Sequence, residues 1–241
     1  MDFDADGNMD IVTGSYTGQF YLFRGQQGGG FAQREVFVDA KGATLVMPFD
    51  SIYSVVPELV DMDADGDLDL VVASRSAAVQ IITNTGTRSE PVWSDERQEL
   101  KTIKGRAIEG SNAHHADWDG DGVRDLILGS EGGTVTWHRN VGKNDAPRYD
   151  KAETLVKPAH SNRGQEGSTP KRHGMRVKVH VTDYNGDGKP DLLVGDVTWQ
   201  QGSPKVEKAK GAFGVDLSKK KRETSRPKTN THGFVWLYLR K

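Results

Sequence analysis

Apolar bursts of four or five residues recur along the chain at intervals of about sixty residues. They read IVTGS, LVVAS, LILGS and LLVGD, and a strongly polar stretch precedes each of them. A second burst follows each one: QFYLFRG, AVQIITNTG, TVTWHRNVG and, after a long insertion, GFVWLYLRK. Short runs rich in apolar and β-branched residues, bounded by Gly, Asn and Asp, are typical of strands. The pattern therefore predicts an all-β fold made of repeated antiparallel strands.

Weaker strand candidates complete each repeat. SIYSVVPELV, GSNAHHA and MRVKVHV precede the polar stretches, and FAQREVFV, PVWSDERQEL and PRYDKAETLV lie between repeats. A unit of four strands and about 60 residues matches one blade of a β-propeller, in which each sheet covers the next. We predict a single propeller region over 1–241, with repeats near 1–50, 51–108, 109–172 and 173–241. The first repeat lacks its first strand and the last its final strand, which gives about three and a half blades and predicts a fragment of a larger propeller. The alternative is a small four-bladed ring.

The polar stretch before each main burst is an acidic nonapeptide. The four copies, DFDADGNMD, DMDADGDLD, DWDGDGVRD and DYNGDGKPD, start at Asp2, Asp61, Asp117 and Asp183, which are 59, 56 and 66 residues apart. In the pattern D-x-[DN]-x-D-G-x-x-D, oxygens at positions one, three, five and nine can converge, and the glycine at position six permits the tight reversal. A cage of six or seven oxygen ligands suits Ca²⁺. The sequence therefore predicts four calcium-binding loops.

An EF-hand is a different type of calcium loop, and the sequence excludes it. An EF-hand needs a bidentate glutamate at position twelve and flanking helices. Position twelve is Thr13, Val72, Leu128 or Val194, each inside a strand-like burst. The predicted sites are therefore calcium-binding β-hairpins. We expect the fourth to be the weakest of the three complete ones, because Asn185 removes one negative charge.

Two of the repeats resemble a known family. ADWDGDGVRDLILGSEGGTVTWHRNVG and VTDYNGDGKPDLLVGD are similar to the calcium-binding blades of FG-GAP or VCBS-type repeat proteins, which include integrin α-subunit propellers and bacterial surface and secreted proteins. The FG-GAP signature itself is poorly kept, and the blade count falls short of the usual seven. The resemblance implies side-chain ligands at Asp2, Asp4, Asp6, Asp10, Asp61, Asp63, Asp65, Asp69, Asp117, Asp119, Asp121, Asp125, Asp183, Asn185, Asp187 and Asp191. It implies backbone carbonyl ligands at Asn8, Asp67, Val123 and Lys189.

A second cluster is suggested by equivalent positions. The third residue before each complete acidic motif is Glu58, His114 or His180. If the strand before each motif is the innermost of its blade, these side chains could converge near the central channel, with His115 as an accessory. Two histidines and a carboxylate could hold a transition metal or act in acid–base chemistry. The alternative is three unrelated polar residues with ordinary hydrogen bonds.

The amino-acid composition excludes some functional classes but does not identify a ligand. The chain has no cysteine, a formal net charge of -2, and no apolar run long enough to span a membrane. The insertion at 203–231 is basic, and its segment Ser218–Lys228 reads as a solvated loop or a patch for an acidic glycan or another polyanion. Trp118 and Trp199 are candidate sugar contacts, whereas Trp137 and Trp236 are expected to pack between blades.

We interpret the chain as a non-catalytic calcium-binding propeller module that serves as an adhesion platform for a carbohydrate or protein. Calcium repeats predict an exported protein, secreted or displayed at the cell envelope, so the basic cluster is not expected to bind nucleic acid. The alternatives are a polysaccharide lyase or sugar dehydratase with a site near the channel, and a structural spacer. The sequence contains no G-x-S-x-G, H-E-x-x-H or P-loop motif, so an enzymatic function would depend on the histidines.

Overall fold

The described residues form fifteen strands in four antiparallel sheets. The computed structural model describes residues 1–48, 53–75, 77–158, 172–201 and 229–240. Sheet 1 contains β1 (Ile11–Gly14), β2 (Phe20–Phe23) and β3 (Glu35–Val36). Sheet 2 contains β4 (Val56–Val60), β5 (Asp69–Ala73), β6 (Gln80–Ile82) and β7 (Gln98–Glu99). Sheet 3 contains β8 (Asn112–Ala116), β9 (Asp125–Gly129), β10 (Val135–His138) and β11 (Glu153–Val156). Sheet 4 contains β12 (Met175–Thr182), β13 (Asp191–Gln201), β14 (Thr229–His232) and β15 (Val235–Tyr238).

The four sheets are arranged as the blades of a β-propeller, which confirms the predicted fold class. In sheets 2 to 4 the acidic motif joins the first two strands, and its ninth residue pairs with the residue before the motif: Val60 with Asp69, Ala116 with Asp125, Thr182 with Asp191. The first strands β4, β8 and β12 pack side by side where the sheets converge. Within the described part of the chain, sheet 1 has three strands, one fewer than each of sheets 2 to 4.

The second strands of sheets 2 and 3, β5 and β9, are continuous apolar bursts because a core covers both of their faces. Leu70 and Val72 of β5 belong to the core between sheets 1 and 2, and Val71 and Ala73 to the core between sheets 2 and 3. A third core lies between sheets 3 and 4. Burial on both faces explains why these strands lack a polar alternation, unlike strands with one face in water.

Neighbouring sheets approach closely at the glycines that end β1 and β9. A Cβ placed on Gly129 would lie 2.5 Å from the Val177 carbonyl oxygen, and one on Gly14 would lie 2.2 Å from the Val55 carbonyl oxygen. The backbone amides of Val177 and Val55 donate to Ser130 and Ser15 of the preceding sheet, both at 3.1 Å. Glycine is needed here because backbone meets backbone.

The outer side of sheet 4 is exposed in the described structure. Leu193 is only half-buried, and Val235, Leu237 and Leu239 are exposed, with Val235 at 74 %. At Gly195, the equivalent of Gly129, the nearest atom to an added Cβ is the Lys178 carbonyl oxygen at 3.9 Å. Sheet 4 therefore packs on sheet 3 through one face only among the described residues.

The predicted insertion at 203–231 ends within a strand. Residues 229–231 belong to β14, which pairs with the far end of β13, Trp199 with Thr231 for example. Strand β13 is long enough to pair with β15 near its start and with β14 near its end. The ladder between β13 and β14 was not predicted because the hydrophobic pattern marks only the first half of β13. Residues 203–228, including Ser218–Lys228, lie outside the described residues. No helix among the described residues is long and apolar enough to cross a membrane.

Candidate functional site

Backbone amides hold the carboxylates of the four acidic loops in place. In loop 3 (residues 117–125), Asp117 accepts hydrogen bonds from the amides of Gly120, Asp121 and Gly122 at 2.8 to 3.1 Å. The amides of loop 4 (183–191) donate to Asp183 in the same way. Loops 1 (2–10) and 2 (61–69) also have aspartates that accept from amides two residues ahead. The shared pattern confirms that the four motifs form equivalent turns.

Two residues of each loop adopt a left-handed backbone. Position six is glycine in all four copies, with φ between 81° and 95°. Position four is also left-handed: Gly120 and Gly186 occupy it in loops 3 and 4, whereas Ala5 and Ala64 occupy it with φ near 60° in loops 1 and 2. Alanine is strained in this region because its Cβ approaches the backbone. The glycine at position six was predicted to permit the reversal, whereas position four was not predicted to be left-handed, because only two of the four copies have glycine there.

Carboxylates converge in three of the loops. One oxygen or more from each member of three groups lies within 4.8 Å of the others: Asp2, Asp4 and Asp10; Asp61, Asp63 and Asp65; Asp117, Asp119 and Asp121. These residues are among the ligands that the family resemblance implies. Convergent carboxylate oxygens are the donor set that Ca²⁺ uses in proteins. The residues present therefore fit the implied cation.

The ninth residue of each loop has a second role, which the motif did not reveal. Asp10, Asp69, Asp125 and Asp191 are buried. In each of them, one carboxylate oxygen accepts from the amide of loop position two, and the other accepts from an amide two residues beyond the end of β2, β6, β10 or β15. Asp69, for example, accepts from Met62 and Asn84, both at 2.9 Å. The ninth aspartate therefore fastens the loop to its sheet.

The loops differ in how their negative charge is compensated. Arg24 forms an ion pair with Asp4 of loop 1, and Arg139 contacts Asp119 and Asp121 of loop 3 at 2.6 and 3.0 Å. The equivalent residue for loop 2 is Thr83, which carries no charge. Burial and the charges of Asp65 and Asp69 raise the pKa of Asp67 to about 6. Loop 2 therefore lacks the arginine that pairs with the carboxylates of loops 1 and 3.

Position two of each loop packs between consecutive sheets. Phe3 is buried in the core between sheets 1 and 2, Met62 lies in the next core, and Trp118 packs against the third. Tyr184 in loop 4 is 62 % exposed. The Trp118 ring also lies under Arg240, whose guanidinium carbon is 5.2 Å from the ring centroid. A packing role therefore accounts for Trp118, which was predicted as a sugar contact.

The remaining tryptophans also have protein contacts. Arg176 lies 5.3 Å over the half-buried Trp199 ring, so this candidate sugar contact is partly covered. Trp137 and Trp236 pack against the core between sheets 3 and 4, as expected, and the Trp236 indole donates to Asp196 at 2.8 Å. Trp93 is fully buried and stacks on Phe37 at 5.0 Å.

A second cluster forms where the first strands converge. Glu58 on β4 lies 3.2 Å from His114 Nδ1 on β8, and the His114 and His180 ring centroids are 4.7 Å apart. His115 joins them: its Nδ1 is 2.8 Å from Glu58 Oε2, and its backbone amide donates to Oε1 at 2.7 Å. An open pocket of about 440 Å³ is lined by Glu58, His114 and His180. The structure thus brings together the three residues that the spacing had singled out and the accessory His115; we call these four residues the axial cluster.

The two neighbouring histidines keep the Glu58 carboxylate ionised. Burial alone would raise the pKa of Glu58, but the charges and hydrogen bonds of His115 and His114 outweigh it and lower the pKa to about 2. An ionised Glu58 can only accept, so the Nδ1 atoms of both histidines donate to it. His115 Nε2 lies 3.1 Å from the Tyr149 hydroxyl, so its ring is held on both sides. Burial and the nearby His114 lower the pKa of His180.

The fold and these loops define a β-propeller repeat protein with acidic hairpin loops. A family model described as FG-GAP-like repeat matches residues 117–194, which run from loop 3 through loop 4 into β13. The predicted resemblance to FG-GAP-type propeller repeats is therefore confirmed. A search of curated proteins finds no match to the chain.

Proposed function

We propose that this chain is a calcium-binding propeller module that acts as a rigid, extracellular binding platform for a carbohydrate or a protein. The observation that carries the proposal is the convergence of three carboxylates within 4.8 Å in each of three equivalent loops. Side chains at positions one, three, five and nine would hold the ion, and the carbonyls of Asn8, Asp67, Val123 and Lys189 would complete the set. Calcium would supply the positive charge that relieves the repulsion within each loop.

The expected energetic effect is large enough to matter for folding. Extracellular calcium modules often bind with a Kd of about 0.1 to 1 mM. With ~1 mM calcium and a Kd of ~0.1 mM, binding stabilises the folded state by ~1.4 kcal/mol per site. Four sites together would contribute ~6 kcal/mol, compared with the 5 to 15 kcal/mol that is typical of a whole domain. Calcium would therefore be a structural ion, and the loops between strands would form the contact surface.

The first test is a calorimetric calcium titration of the full chain, paired with thermal melts in calcium and in chelator. We expect three or four ions to bind and the melting temperature to rise by several degrees. Asp63→Asn should weaken one site, because it removes a converging carboxylate from loop 2. Glu153→Gln is the matched control, since it removes one exposed negative charge from β11 without touching a loop. Absence of calcium binding, or an equal effect of both variants, would refute the assignment.

The platform role needs a separate test. We expect the calcium-saturated chain to bind a polysaccharide or an extracellular protein on an array, and to lose that binding in chelator. Deletion of 204–228 would show whether the basic segment contributes, as the predicted anionic-glycan patch requires. Calcium binding without any ligand on such arrays would contradict the platform and favour the structural spacer.

The axial cluster favours a second candidate function. Glu58, His114 and His180 line one pocket, which is the arrangement that an enzyme acting near the propeller axis requires. His114 and His180 would be the acid–base pair of a lyase or dehydratase acting on a sugar, and Glu58 would orient His114. Turnover of anionic polysaccharides or sugar acids that disappears in His114→Ala and His180→Ala would establish this function. Unchanged turnover in both variants would exclude it.

A further inference from the structure

We propose that His114 and His180 bind a transition-metal ion of the Zn²⁺ class in the axial pocket, with Glu58 as the residue that positions His114. The site is separate from the acidic loops and does not depend on calcium occupying them. It would use nitrogen ligands, whereas the loops offer only oxygen. Imidazole favours zinc, copper and nickel, and carboxylate and carbonyl oxygens favour calcium and magnesium.

The first argument is the orientation of His114. Its Nδ1 faces Glu58 Oε1 at 3.2 Å, so the proton is on Nδ1 and the lone pair is on Nε2. Nε2 forms no hydrogen bond with any residue in the described ranges, and the side chain keeps 20 % of its surface exposed. A histidine whose other nitrogen is held by a carboxylate is the usual arrangement of a metal ligand. Glu58 itself is held by the His115 amide and ring, so His114 is oriented by a fixed partner.

The second argument is the placement of His180. Its ring is tilted by 53° relative to that of His114, with the centroids 4.7 Å apart. Two nitrogens bound to one zinc at 2.0–2.1 Å lie roughly 3.3 Å apart at tetrahedral angles. Rings at the observed separation can reach this spacing by rotation of their side chains.

The third argument is the shape of the surroundings. The pocket of about 440 Å³ is open, and its other walls are formed by the apolar side chains of Ile11, Val12, Pro57 and Leu59 together with Met1 and Asp10. An ion held by two histidines keeps at least two positions for water or for an oxygen of a ligand. The site would therefore bind a metal that remains accessible, and the apolar walls would limit its contact with water.

The test is a zinc titration of the full chain in saturating calcium, so that the acidic loops are occupied. We expect one Zn²⁺ to bind per chain, and His114→Ala or His180→Ala to weaken binding at least tenfold. Glu58→Gln keeps the size of the side chain but lets the His114 ring reorient, and it should weaken binding by about 10- to 100-fold. His232→Ala, which removes a histidine on β14 outside the pocket, is the matched control and should leave binding unchanged.

Circular dichroism and the melting temperature in calcium identify variants that fail to fold. Cobalt reports metal binding directly, because Co²⁺ bound to imidazole nitrogen gives visible absorption. Histidines with a purely structural role would not produce this absorption. We expect this absorption in the wild type and in His232→Ala, and its loss in His180→Ala. The proposal is overturned if folded wild type binds no zinc in calcium, or if His232→Ala weakens binding as much as the pocket variants. Calcium binding measured in the same samples shows whether the acidic loops bind calcium, independently of whether the axial pocket binds zinc.

Discussion

Replacing Gly129 by alanine is expected to force sheets 3 and 4 apart. The new Cβ would lie 2.5 Å from the Val177 carbonyl oxygen, about 0.9 Å closer than an ordinary contact of 3.4 Å. Backbone cannot move aside as a flexible side chain can, so β12 must shift as a unit. The hydrogen bond from the Val177 amide to the Ser130 carbonyl, 3.1 Å long, would be stretched by the same movement.

The magnitude follows from these two effects. Overpacking of this kind costs about 1–3 kcal/mol, and loss of one backbone hydrogen bond adds about 1 kcal/mol. Alanine is favoured over glycine within a strand by about 0.5–1 kcal/mol, which offsets part of the cost. We expect Gly129→Ala to lower the free energy of unfolding by about 2–3 kcal/mol, or the melting temperature by roughly 5–10 °C for a chain of this size.

Gly195→Ala is the matched control. Gly195 ends the same burst in sheet 4, but the nearest atom to its added Cβ is 3.9 Å away, an ordinary contact. We therefore expect Gly195→Ala to be neutral or slightly stabilising. Urea unfolding of both variants in calcium measures the difference. If Gly195→Ala costs as much as Gly129→Ala, close approach of the next sheet is not the reason for the glycine, and our explanation fails.

Two further predictions concern the loops and the axial cluster. Gly120→Ala places a side chain at φ 83° in otherwise open space and should lower the free energy of unfolding by about 1 kcal/mol, whereas Ala64→Gly, at φ 62°, should raise it by a few tenths of a kcal/mol. Urea unfolding in saturating calcium measures both variants. Equal effects of the two substitutions would contradict the backbone argument. The pKa of Glu58 is about 2 rather than the usual 4.5, so its stabilising contribution is complete above about pH 5 and is lost as the pH falls toward 2. Glu58→Gln should therefore lose less stability than the wild type between pH 5 and 3, and parallel pH profiles of the two proteins would refute this.

Much of the candidate site was predictable because its determinants are local. The nine-residue spacing of each acidic loop determines which oxygens can meet, and the following burst identifies a strand covered on both faces. Position four was missed because Ala5 and Ala64 are unusual residues for a left-handed backbone. The clamping role of Asp10 and its equivalents was missed for another reason: one partner of each lies on a different strand, outside the motif.

The sequence by itself determined the repeat, the all-β class and the equivalence of Glu58, His114 and His180, because these depend on spacing along the chain. Only the tertiary structure decided that these three side chains meet, since the distance between strands of different sheets depends on how the sheets pack around their common axis. The same holds for loop position two, where Phe3 is buried and Tyr184 is exposed. The local sequence is alike at both, and the difference is whether a neighbouring sheet covers the side chain.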